Sequence, residues 1–175
     1  MRSKRILSTL LLIILSITLT AGISCGNNVE TTSVSVKRIS NGYLMALDPE
    51  ELNQIPFTDF AIIVDFNTPV QASDQENIVV LYRESGEEWA NTTVKVFAEE
   101  GTLASFNNSG FFPEHDPVNE VPVETEVLDE DSIGVSPVSG SFPSGSQIVL
   151  TLEFELSLPP GPPILGNIFI ARIFT

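Results

Sequence analysis

Cys25 is the only cysteine and His115 the only histidine among 175 residues, which carry 23 aspartates and glutamates against 8 lysines and arginines. A lone thiol can be acylated, but it cannot close a disulfide or build a cysteine-rich zinc site. His115 stands between carboxylates in Pro113-Glu114-His115-Asp116-Pro117. Those neighbours suit a pH-sensitive or metal-binding side chain, but no second imidazole completes an ordinary zinc site, and the simpler reading is a solvated loop histidine. Most of the remaining chemistry belongs to carboxylates. Asp129-Glu130-Asp131-Ser132-Ile133-Gly134 spaces acids as a calcium loop does, which makes Asp129 and Asp131 the candidate calcium ligands. The EF-hand pattern is not met, because its fifth and twelfth positions would be Ile133 and Gly140. The competing reading is an acidic solvated loop that keeps the domain soluble.

Other chemistries find less support. There is no Gly-x-Ser-x-Gly elbow, and Ser136 and Ser144 lie in Gly/Pro turns without a base nearby in sequence. Phosphate loops and dinucleotide fingerprints are absent from the sequence. Paired carboxylates could serve a glycosidase, but nothing singles out one pair. The net charge of −15 argues against a phosphate-backbone binder, so no nucleic-acid partner is expected. Trp89 and Tyr82 flank Arg83–Glu88, and Phe111-Phe112 precede an acidic stretch. Exposed, they would stack on a sugar or anchor a protein partner; the plainer expectation is that they cap the core.

The elements that would position these residues begin with an address. Met1-Arg2-Ser3-Lys4-Arg5 is basic, and Ile6–Ile23 runs without a charge. This is the n-region and h-region pattern of a bacterial export signal, with the basic end retained inside. Gly22-Ile23-Ser24-Cys25 then resembles the lipobox of bacterial lipoproteins, with Gly22 where leucine is usual. The resemblance implies cleavage before Cys25, a diacylglycerol on its thiol, and membrane attachment through two or three palmitate-type chains. One chain alone holds a protein only marginally, at about 0.8 kcal/mol per buried CH₂. Gly26 after the cysteine, in place of aspartate, implies the outer membrane by the family's sorting rule in enteric-type envelopes. Two alternatives stay open: an uncleaved helix over Ile6–Ile23, or conventional secretion with Cys25 as a free thiol. All three place the remaining chain outside the cytoplasm.

Residues 1–24 are therefore expected to be a signal, 25–32 a polar tether and 33–175 a single domain. The exported part keeps all 23 acids but loses Arg2, Lys4 and Arg5, so its net charge falls from −15 to −18. A chain of about 150 residues can bury some 68–70% of its unfolded surface and stand without staples.

Alternation dominates this domain. Strands are expected over Ser33–Ile39 and Tyr43–Leu47, separated by an Asn41-Gly42 turn. Asp48-Pro49-Glu50-Glu51-Leu52 has the signals of a short helix ending before Pro56. Phe60, Ile62, Val64 and Phe66 share one face of a strand over Thr58–Phe66, and Asn77–Arg83 is a nearly continuous apolar strand. Thr93–Ala98 and Thr102–Phe106 read as a hairpin around Glu99-Glu100-Gly101. Pro113–Asp131 reads as an acidic insertion holding an edge strand at Val121, Val123, Thr125 and Val127. Ile133–Phe142 reads as a connection. Ile148–Leu158 places six apolar residues at period two, with Val149, Thr151, Glu153, Glu155 and Ser157 facing solvent, and Ile168–Phe174 is a last strand. Seven to nine short strands, almost without helix, make an all-β antiparallel sandwich.

Several motifs resemble the bacterial immunoglobulin-like domains of surface and envelope proteins. They are Phe66-Asn67-Thr68-Pro69-Val70, the following strand Asn77-Ile78-Val79-Val80-Leu81, Pro143-Ser144-Gly145-Ser146-Gln147-Ile148, and Gly166-Asn167. The resemblance covers about Thr58 to Thr175 and implies an immunoglobulin-like sandwich serving as a spacer, adhesive module or accessory binding domain. It carries no catalytic residues. The expectation is a non-enzymatic, lipid-anchored envelope protein that presents an acidic module to a protein or glycan partner. The alternatives are a calcium-dependent adhesion domain and a small glycan-acting enzyme.

Overall fold

Phe60, Ile62, Val64 and Phe66 are all buried, and they lie on the inner face of a strand spanning Phe60–Phe66. The structure is a computed structural model. It describes residues 29–82, 86, 88–108, 117–156 and 164–175. Its elements are β1 (Thr31–Arg38), β2 (Leu44–Ala46), β3 (Leu52–Gln54), β4 (Phe60–Phe66), β5 (Val70–Ala72), β6 (Ile78–Tyr82), β7 (Glu88–Glu100), α1 (Leu103–Asn108), β8 (Val123–Asp129), β9 (Ser132–Pro137), β10 (Ser146–Leu156) and β11 (Ile164–Phe174). One sheet has the order β2-β1-β4-β9-β8 and the other β3-β11-β10-β7-β6-β5. All pairings are antiparallel except that of β3 with β11.

The two sheets pack face to face through one apolar core. Val34, Val36, Ile133 and Val135 join the β4 residues from the five-stranded sheet. Leu81, Val94, Val96, Ile148, Leu150 and Leu152 come from the other. Phe142 packs against Phe60 with ring centroids 4.7 Å apart. The expected all-β sandwich is therefore present, with eleven strands among the described residues instead of seven to nine. The strands not expected are β3 and β5, three residues each and too short to show a period in sequence, and β9, while the strand expected over Thr102–Phe106 is absent.

Four local expectations are overturned. Asp48–Leu52 is not a helix: Asp48 Oδ1 accepts the Glu50 amide at 2.9 Å, and Leu52–Gln54 adds to the end of β11 as a parallel strand. An aspartate side chain that bonds its own backbone two residues on offers that backbone an alternative to a helical turn. The hairpin after Thr93 is instead one long strand, β7, followed by α1. Thr102 and Ser105 bond reciprocally at the helix start: Ser105 N donates to Thr102 Oγ1 at 3.2 Å, and Thr102 N to Ser105 Oγ at 3.1 Å. This is a capping box with serine in its second position.

Ile133–Phe142 is not merely a connection. Its first half is β9, between β4 and β8, with Ile133 and Val135 fully buried. Gly134 lets Leu128 lie close, since a Cβ there would meet the leucine side chain at 3.2 Å. Finally, β10 does not face solvent at its start, because Gln147, Val149 and Thr151 are buried on the outer face. Phe106 of α1 is buried too, and Phe97 lies next to Val149 in the β7–β10 register. The described part of the acidic insertion, 117–131, is also largely structural. Val121 N donates to Val96 O, Glu120 bridges to Phe97, and β8 forms the edge of the five-stranded sheet as its alternation predicts.

Candidate functional site

The candidate site lies where the open edges of the two sheets meet. The β5–β6 connection is the polar run Ser73-Asp74-Gln75-Glu76-Asn77. It folds back on itself: Ser73 N donates to Ile78 O at 3.1 Å, and Gln75 N to Ser73 Oγ at 3.2 Å. Asn77 adopts φ 56, a left-handed conformation that asparagine tolerates better than most residues. Its side chain reaches across to the other sheet, where Oδ1 accepts Thr125 Oγ1 at 3.2 Å. Its carbonyl accepts Val94 N at 2.9 Å.

Between this turn and β8 lies a cleft of about 350 Å³, lined by Ser73–Asn77 on one side and by Glu124, Thr125 and Val127 on the other. Asp74, Glu76 and Glu124 are exposed carboxylates, and among the described residues no lysine, arginine or histidine lines the cleft. Such a surface attracts cations and cationic side chains and repels a copy of itself. The residue pattern alone does not single it out, because a polar run between two apolar segments signals only a turn. That the run faces β8, some fifty residues later, follows from the sheet order.

Asp129 and Asp131 flank the turn between β8 and β9, and both are exposed. Three of the turn's oxygens are engaged: Phe66 N donates to Asp131 O and Val70 N to Glu130 O, each at 2.8 Å, and Asp129 Oδ1 accepts Glu130 N at 2.8 Å. Calcium takes six to eight oxygens at about 2.3–2.6 Å. Among the described residues, no three acidic, histidine or cysteine side chains are gathered as a metal would need. Cys25, His115, Phe111 and Phe112 lie outside the described residues. Trp89 belongs to β7, and Tyr82 at the end of β6 donates its hydroxyl to Gln71 Oε1 at 3.1 Å.

Two further polar clusters flank the core. Arg172 is buried on the outer face of the six-stranded sheet, where Nη2 donates to Phe106 O and to Gln147 Oε1, both at 3.0 Å. The last carbonyls of a helix lack intrahelical partners, so Arg172 satisfies one of the last carbonyls of α1. At the β1–β2 end, Arg38 Nε donates to Asp59 Oδ1 at 2.9 Å, and its guanidinium sits 5.1 Å from the Phe57 ring centroid. A hydrogen bond from Ser40, and then the Arg38 guanidinium, hold the Asp59 carboxyl below its ordinary 3.8. On the outer face, Lys95 pairs with Glu153 at 2.8 Å, and that bond holds the ammonium pKa above its ordinary 10.5.

The chain is thus an all-β protein of two packed sheets with an acidic cleft at their open edge. No match to a protein-family model, to a curated protein or to a solved structure is found for it.

Proposed function

We propose that this is a lipid-anchored protein of the bacterial envelope, probing its surroundings with a non-enzymatic, immunoglobulin-like binding module. The observation that carries the reading is how soon after Cys25 the sandwich begins. Glu30 N donates to Asn67 Oδ1 at 2.8 Å, and Asn67 N donates to Glu30 O at 3.0 Å. Thr31 is already paired with Phe66. Four residues lie between Cys25 and Glu30, and the five Cα-to-Cα steps reach at most about 18 Å when fully extended. A lipidated Cys25 would hold the domain close to the bilayer with the β1–β2 hairpin directed away from it.

The strand order supports the immunoglobulin-like part. Taken in chain order, β1, β4, β7, β8, β9, β10 and β11 occupy the places of strands A to G. They give A-B-E-D in one sheet and G-F-C in the other. The strands β2 and β3 are additions between A and B. The strands β5 and β6 are additions between B and C, and they extend the second sheet beyond C.

The test is Cys25→Ser. The variant is expected to leave the membrane fraction and to lose incorporation of radioactive fatty acid. Wild-type protein that stays membrane-bound but unlabelled would instead indicate an uncleaved Ile6–Ile23 helix.

A further inference from the structure

As a deepening of the binding-module reading, on which it rests, we propose that the β8 edge and the cleft beside it take an extended Lys- or Arg-rich segment of another protein, added as a sixth strand of the five-stranded sheet. The strand β8 is the terminal member of that sheet, paired only with β9 among the described residues. It is seven residues long and contains no proline or lysine. An edge of that kind offers unpaired backbone donors and acceptors to an incoming strand.

Its side chains say which strand it accepts. Glu124 and Glu126 are exposed on the outward face, while Val123 is buried and Thr125 and Val127 are half-buried. An added strand would set alternate side chains opposite Glu124 and Glu126, where opposite charges stabilise and like charges destabilise. Its other side chains would meet the cleft, where Asp74 and Glu76 add two more carboxylates. A second copy of this edge would bring these acids against their own counterparts. The charges that keep two copies apart are therefore the ones that recruit a basic segment.

The test uses the full-length protein in detergent at a fixed ionic strength near physiological. The probes are a short fluorescent peptide alternating lysine with valine and the same peptide N-methylated along its whole backbone. Methylation removes the main-chain donors and leaves the charge. The unmodified peptide is expected to bind and to protect the amides of Val123–Asp129 from hydrogen exchange, with affinity reduced at least about tenfold by methylation. Glu124→Lys/Glu126→Lys, checked by thermal melting to be folded, is expected to reduce binding by a similar factor. Equal binding of both peptides would reduce the interaction to charge alone and overturn strand addition. Indifference to the double substitution, or no binding by the unmodified peptide, would overturn it too. Loss of anchoring in Cys25→Ser is read by fractionation, so the two ideas fail separately.

Discussion

Arg172 illustrates how far a single side chain depends on tertiary context. A buried guanidinium with no carboxylate partner among the described residues carries a desolvation cost, here offset in part by the Phe106 carbonyl and the Gln147 amide. Arg172→Ala leaves both acceptors short of a donor, and each buried unsatisfied group costs about 1–3 kcal/mol. Urea unfolding should show a loss in that range, with Arg172→Lys recovering only part of it, because both bonds come from Nη2, which lies beyond the reach of a lysine Nζ. Asp59 makes a prediction in pH. Its carboxyl is held below 3.8 in the folded state, so its contribution is complete above 3.8 and is lost as pH falls through the folded value. Asp59→Asn should therefore flatten the acid limb of the stability profile below about pH 4 and leave the shape near neutrality unchanged. Neither residue stands out as a partner in the sequence, since the contacts of Arg172 come from positions 66 and 25 residues away.

At the scale of elements, legibility follows period and length. The inner faces of β4 and of the first half of β10 are readable because four and three apolar residues repeat at period two and are all buried. Leu152 is fully buried, so Leu152→Asp should unfold the domain, whose whole stability is of the order of 5–15 kcal/mol. Glu153 faces outward and pairs with Lys95, so Glu153→Lys should cost no more than about 1 kcal/mol. Circular dichroism melts of the two variants check this register. Elements whose signals conflict are not readable. Gly134, Pro137 and two serines hide β9, although the strand is interior to its sheet, and the capping box of Thr102 and Ser105 is hard to see because its second residue is not Glu or Gln. Gly101 lies so close to α1 that a Cβ would meet the Phe106 ring at 2.6 Å, so Gly101→Val should loosen the helix from the sheet.

Across the whole molecule, negative charge outweighs positive by a wide margin. A net charge of −15 destabilises the compact state by self-repulsion, and any salt that screens it raises the melting temperature. The backbone carbonyls of Glu130 and Asp131 already accept amides from Val70 and Phe66, which leaves that turn fewer oxygens for calcium and favours screening. Calcium and magnesium at matched ionic strength should shift the melt equally, with no change in Asp129→Asn/Asp131→Asn. A calcium-selective rise removed by those substitutions would instead favour the adhesion reading.

The sequence by itself determined the fold class, the inner face of the clearest strands and the edge position of β8. Each of these follows from local alternation between residues that water rejects and residues that it accepts. Only the tertiary structure decided that β9 is interior to its sheet, that the outer face at the start of β10 is covered, and that the Ser73–Asn77 turn faces β8 across a cleft. Those relations join residues far apart along the chain. They are selected by which pairing buries the most apolar surface while leaving the fewest backbone groups unpaired, a property of the whole assembly of strands and not of any one of them.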